Sequence, residues 1–117
     1  MQEKILKIIN KIIRKYDTTN PFELCDYLDI KVFQIPLPNR GFCMHDRRIP
    51  IVFINETLDY YDKKIVCAHE LGHILLHKGY NIAFFEAYTH FSTERYETEA
   101  NLFAELLLEM DEDPNIA

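Results

Sequence analysis

Apolar side chains recur at Ile5, Ile8, Ile9, Ile12, Ile13 and Tyr16, with Lys4, Lys7, Lys11, Arg14 and Lys15 between them. Spacings of three and four follow the turn of an α-helix, so residues 2–16 should form an amphipathic helix with one buried face. Docking on the chain's own core is the preferred reading of that face, over a partner-binding or DNA-touching helix. Asp17-Thr18-Thr19 breaks the pattern. Asn20-Pro21-Phe22-Glu23 then reads as a helix start, with Asn20 as cap, Pro21 at the first helical position and Glu23 closing a capping box. The short helix to about Leu28 would bury Leu24, Cys25 and Leu28. The period then falls to two. Lys31 to Ile35 alternates as a strand, the Pro36–Gly41 stretch is a turn, and residues 42–45 make a second short strand. Asp46-Arg47-Arg48 turns the chain into a third strand, Ile49 to Asn55. Pro50, lacking an amide proton, should occupy an edge strand or a strand start.

Beyond Asn55 the helical period returns. Asp59 or Asp62 could cap a helix from about Lys63 to Lys78 that packs through Ile65, Val66, Leu71, Leu75 and Leu76, with Gly79 ending it. Residues 80–92 are apolar but aperiodic, which predicts a loop across the face of that helix. Ser92 or Thr93 would cap a last helix with Ala100, Phe103, Ala104, Leu107 and Met110 inward, and residues 110–117 should fray. The expectation is one α+β domain over 1–117, with helices packed on a short, mainly antiparallel, three-stranded sheet.

Composition narrows the function classes. At 117 residues and 48% apolar the chain suits a single modest core and is too apolar to be disordered. Residues 1–50 carry nine Lys or Arg against six Asp or Glu, and residues 51–117 carry four against thirteen. The basic residues of the first half are spaced around a helix rather than gathered in a stripe, so direct nucleic-acid binding is not expected. Three scattered cysteines, Cys25, Cys43 and Cys67, form neither a disulfide framework nor a CxxC pair, which fits a reducing compartment. The first residues interrupt every apolar run with charge, unlike a signal peptide or membrane span. A cytoplasmic protein is expected. Oligomeric state is left open.

The chemistry lies in residues 65–77, Ile-Val-Cys-Ala-His-Glu-Leu-Gly-His-Ile-Leu-Leu-His. Histidines four apart stand one above the other on a helix, about 400° of rotation apart, and can reach one metal ion. Glu70 is turned by about 100° from His69, close to a metal-activated water but aimed away from the ligand position. This is the arrangement of a zinc hydrolase, two nitrogen ligands and a carboxylate base. Gly72, between the histidines, points to close approach by another element. A catalytic zinc site wants a third protein ligand, and His77, Glu86, His90, Glu94, Glu97 and Glu99 are the downstream candidates. Glu97 shares a face with Asn101 and Ala104 beside the apolar stripe, so it can point inward. Asn101, one turn on, could accept the proton of a ligand histidine's second nitrogen. Glu99, about 200° from Glu97, is expected in solvent. His77 could approach the site or hydrogen-bond near the helix C-terminus, and is not expected to be a ligand. Cys43 and His45 read as surface hairpin residues, and Cys25 and Cys67 as packing.

His69-Glu70-Leu71-Gly72-His73-Ile74-Leu75-Leu76-His77, followed by Glu97-Thr98-Glu99-Ala100-Asn101-Leu102-Phe103-Ala104, resembles the ImmA/IrrE family of small metallopeptidases. Ile51-Val52-Phe53-Ile54-Asn55 is similar to the strand that precedes the metal-binding helix there. The resemblance covers roughly residues 20–108. It departs at Leu107-Leu108-Glu109-Met110-Asp111, where the family often has Leu-Leu-Met-Pro. It implies a trimmed, zincin-like domain whose edge strand holds an extended peptide, with His69, His73 and Glu97 as zinc ligands and Glu70 as catalytic base. Tyr88 or His90 could stabilise the oxyanion. Many members sit beside phage or mobile-element repressors and cleave them, and one branch serves a DNA-damage response. The leading expectation is a zinc endopeptidase acting on a helix-turn-helix repressor. The alternative is a non-catalytic protein that binds a regulator and uses zinc to brace its fold. A DNA-binding regulator lacks a helix-turn-helix pair in the sequence.

Overall fold

A computed structural model describes residues 1–77 and 94–111. The elements run α1 (Gln2–Tyr16), α2 (Pro21–Tyr27), β1 (Lys31–Ile35), β2 (Gly41–Asp46), β3 (Ile49–Asn55), α3 (Tyr60–Leu76) and α4 (Glu94–Met110). The fold is α+β, four helices among the described residues packed against a three-stranded sheet.

Each boundary has a local cause. α1 buries Ile5, Ile9 and Ile12, and stops where Asp17 takes a left-handed conformation and its amide donates to the Ile13 carbonyl. α2 starts as expected, with the Asn20 side chain accepting from the Phe22 amide at 2.9 Å. The capping box differs from expectation. The Asn20 amide donates to the Thr18 hydroxyl, and that hydroxyl donates to Glu23. Thr18 is inserted between the two partners, its hydroxyl accepting from the Asn20 backbone amide that Glu23 would otherwise reach. α3 begins earlier than expected because Asp59 is its cap, accepting from the Asp62 amide at 2.8 Å. It ends at Leu76 with His77 as the C-cap residue, before Gly79, which lies outside the described residues.

The sheet has the order β1-β3-β2 and is mixed. β2 and β3 form an antiparallel hairpin through a two-residue turn, while β1 adds to the far side of β3 in parallel. Pro50 therefore sits near the start of the central strand, not on an edge. The turn residues Arg47 and Arg48 both have positive φ, 51° and 71°. This matches the twist of a hairpin but strains any residue with a Cβ. Val52, Ile54 and Cys43 face the helices and are buried, whereas Phe33, Phe53 and Phe42 stack across the opposite face. Asn55 ties the connection back to the sheet. Its amide group donates to the carbonyls of Leu37 and Asn39, and its oxygen accepts from the Thr57 amide.

α3 lies at the centre, with Val66, Cys67, Ala68, Leu71 and Ile74 buried against the sheet, α2 and α4. Gly72 is the point of closest approach to α4. A Cβ there would lie 3.0 Å from Cβ of Phe103. The close helix contact expected from this glycine is thus made by an aromatic side chain. No helix among the described residues is long and apolar enough to cross a membrane.

Candidate metal centre

α3 and α4 run antiparallel, so that Lys64 meets Asp111, Gly72 meets Phe103, and His77 meets Tyr96. Between these contacts the helices bring three polar side chains to one point. His69 Nε2 lies 2.9 Å from Glu97 Oε2, His73 Nε2 lies 3.0 Å from Glu97 Oε1, and the two Nε2 atoms are 3.1 Å apart. The stacking of residues four apart puts the His69 and His73 rings edge to face at 4.7 Å. Four ligands around zinc at about 2.0 to 2.1 Å are separated by roughly 3.3 Å, so the three donors already have nearly the spacing of a tetrahedral site. Among the described residues, His69, His73 and Glu97 form the cluster able to hold a metal ion, their ligating atoms within 4.8 Å of one another.

The surroundings fix the charges. Hydrogen bonds from His69 and His73 hold the Glu97 carboxyl well below the usual carboxylate range. Burial disfavours the charged form of His69, but the hydrogen bond to Glu97 and the charges of Glu70 and Glu97 outweigh it and raise its pKa. The Asn101 side chain also hydrogen-bonds the His69 imidazole. Glu70 is 7% exposed, and its pKa is raised by burial despite the opposing pull of His69 and His73. A carboxylate pushed towards neutrality beside two histidine nitrogens able to hold a metal is suited to taking and returning a proton. A cleft of about 810 Å³ opens onto this point, lined by Arg40, Tyr61, Ile65, His69, Glu70, Asn101 and Leu108 among others.

The sequence matches the model of the IrrE N-terminal-like domain over residues 25–113. The chain belongs to the ImmA/IrrE family. It is 43% identical over 103 residues to uncharacterized immunity region protein 2 of Bacillus phage phi105, covering 86% of this chain and 65% of that protein. It is 31% identical over 112 residues to metallopeptidase ImmA of Bacillus subtilis strain 168, covering 93% of this chain and 65% of ImmA. The chain therefore matches just under two thirds of the length of these relatives. In a chain of this family, the three-donor cluster is a candidate metal-binding site.

Two sequence expectations fail here. Cys43 is not a surface hairpin residue. It is buried at 7% exposure, on the inward face of β2, and its thiol hydrogen-bonds the Glu70 carboxylate. Burial first, then the neighbouring Glu70 charge, pushes its thiol pKa far up, so it stays a neutral donor. The signal was the strand period, which places Cys43 on the same side as the buried Val52 opposite it. Glu99 does not face open solvent either. It lies half-buried, with Oε1 3.4 Å from Nε2 of His77. His77 is not part of the three-donor cluster, but its Nδ1 sits 3.1 Å from Nδ1 of His73. Glu94 is exposed and outside the cluster, while Glu86, Tyr88 and His90 lie outside the described residues. Cys25 and Cys67 are buried free thiols packed at 3.7 Å, as expected of core residues.

Proposed function

We propose that this chain is a zinc-dependent endopeptidase that makes a site-specific cut in a phage or mobile-element repressor of the helix-turn-helix type, inside the cell. The observation that carries the reading is the convergence of His69, His73 and Glu97 with Glu70 alongside, in a chain of the ImmA/IrrE family. The name of the Bacillus subtilis relative, metallopeptidase, and the phage origin of the other support the reaction class and the genetic setting.

In this reading His69, His73 and Glu97 hold the ion. When bound, zinc supplies Lewis acidity towards the scissile carbonyl and the attacking water. Glu70 receives the proton of that water and passes it to the leaving amine. Burial, which raises its pKa, favours both roles, and the Cys43 thiol hydrogen-bonds its carboxylate. Asn101 orients His69. Tyr88 or His90 would donate to the developing oxyanion. β2 is the sheet edge on the side of Glu70, and its outer backbone edge, unpaired among the described residues, can pair with an extended peptide running along the cleft.

The test pairs the zinc-loaded protein with the repressor encoded beside its gene. Cleavage by the parent and none by Glu70→Gln supports the proposal. Tight binding of the repressor with no cut by either protein overturns it in favour of a non-catalytic binder.

A further inference from the structure

His77 belongs to no part of the mechanism above, yet it is buried and in contact with a ligand. α3 places His69, His73 and His77 in succession, the ring centres of the last two 5.3 Å apart. His73 Nε2 faces Glu97, and its other nitrogen, Nδ1, lies 3.1 Å from Nδ1 of His77. The far nitrogen of His77, Nε2, is buried without a hydrogen-bond partner among the described residues, and Glu99 Oε1 stands 3.4 Å from it. Tyr96 packs on the His77 ring at 4.5 Å and fixes its plane.

We propose that His77 and Glu99 form an outer support for the metal centre, a His73–His77–Glu99 hydrogen-bond chain that fixes the tautomer and orientation of His73. The inference rests on the metal-binding reading above. The proton positions follow from simple chemistry. A histidine that gives its Nε2 lone pair to a metal keeps its proton on Nδ1. The Nδ1–H of His73 therefore donates to His77, which must offer a lone pair on Nδ1 and carry its own proton on Nε2. That proton points at Glu99, an anion able to accept it. The carboxylate that usually supports a ligand histidine directly is here set one imidazole further out. The buried Nε2 of His77, 3.4 Å from Glu99 Oε1, is placed to make the outer link of that chain. His69, by contrast, is supported by Asn101.

The test measures zinc affinity by competition with a chromophoric chelator for the parent, His77→Phe, His77→Gln and Glu99→Gln. Thermal unfolding of each metal-free protein checks folding. Removing such a support weakens metal binding about 10- to 100-fold. His77→Phe should show that loss, Glu99→Gln a smaller one, and His77→Gln, which keeps an acceptor and a donor, should recover part of it. Histidine nitrogen NMR of the zinc-loaded parent should find the proton on Nδ1 of His73 and on Nε2 of His77. Parental affinity in a folded His77→Phe, or a His77 protonated on Nδ1, overturns the inference and leaves the metal centre standing. If His77→Phe does not fold, the tautomers of the parent decide. A parent that binds no zinc overturns the metal-binding reading and this inference together.

Discussion

The antiparallel pair α3–α4 carries a charged cluster at each end, and the two are built in opposite ways. At the sealed end the Lys64 ammonium, fully buried, pairs with the Asp111 carboxylate. The Thr19 hydroxyl donates to the other Asp111 oxygen at 3.0 Å, and Lys64 lies over the Tyr60 ring. Opposite charges there answer each other and clamp α3, α4 and the α1–α2 connection. At the open end, His69, His73 and Glu97 turn their ligating atoms towards one shared point beside a cleft, and the Glu97 side chain is 36% exposed. The first cluster is complete without a ligand. The second has donors converging on a space that a cation fits. Charge that faces its partner builds the fold, and charge that faces a common centre builds a site.

Breaking the sealed cluster should cost the most stability. Lys64→Ala leaves Asp111 buried and uncompensated, and should lower unfolding free energy by about 3–5 kcal/mol. Replacing both partners, Lys64→Met with Asp111→Leu, should recover most of that loss, as measured by urea unfolding. The same treatment of the open cluster should act differently. Glu97→Gln should cost the metal-free protein less than Lys64→Ala does while sharply reducing the stabilisation gained from added zinc, which for an intact site at a hundredfold excess over Kd is about 2.7 kcal/mol.

Acidity should separate the two ends further. Glu97 is held below its ordinary pKa, so in the metal-free protein its contribution is full above about 4.5 and fades as pH falls towards its lowered value. His69 is held above its ordinary value, so its contribution is full below about 6.5 and fades as pH rises through the raised pKa. The metal-free cluster should therefore stabilise most between those limits. Zinc requires neutral imidazoles, so the zinc-induced rise in Tm should shrink as pH falls through the raised pKa of His69. Unfolding curves with and without zinc from pH 5 to 8 would show it.

The helix contact beside the open cluster is the next target. Gly72→Ala forces a methyl group to 3.0 Å from Phe103, and should cost about 1–3 kcal/mol, with partial rescue by Phe103→Leu. The smallest effect is expected far from both clusters. Arg47→Asn with Arg48→Gly relieves the positive φ angles of the hairpin turn and should raise stability by about 1 kcal/mol, with zinc affinity unchanged.

Local elements were legible in the sequence because their causes are local. The period of Ile5 to Tyr16 marks α1, and Asn20-Pro21 marks the start of α2. The three-donor cluster was readable for a related reason. His69 and His73 are fixed by one helix, and Glu97 by the inward face of another. What escaped depends on how elements meet. The parallel pairing of β1 with β3 joins strands separated by β2, and no local period encodes it. Cys43 reaches Glu70 only because β2 lies beside α3. Glu99 is turned away from Glu97 on α4, yet His77 has drifted about 80° around α3 from His69 and meets it on that flank.

The account turns on the open cluster being a metal centre in which ligands and base have different duties. Zinc content after extensive dialysis, compared among the parent, His69→Ala and Glu70→Gln, tests that division directly. The account predicts an equimolar ion in the parent and in Glu70→Gln, and none in His69→Ala. A zinc-free parent, or an ion retained by His69→Ala, would contradict it.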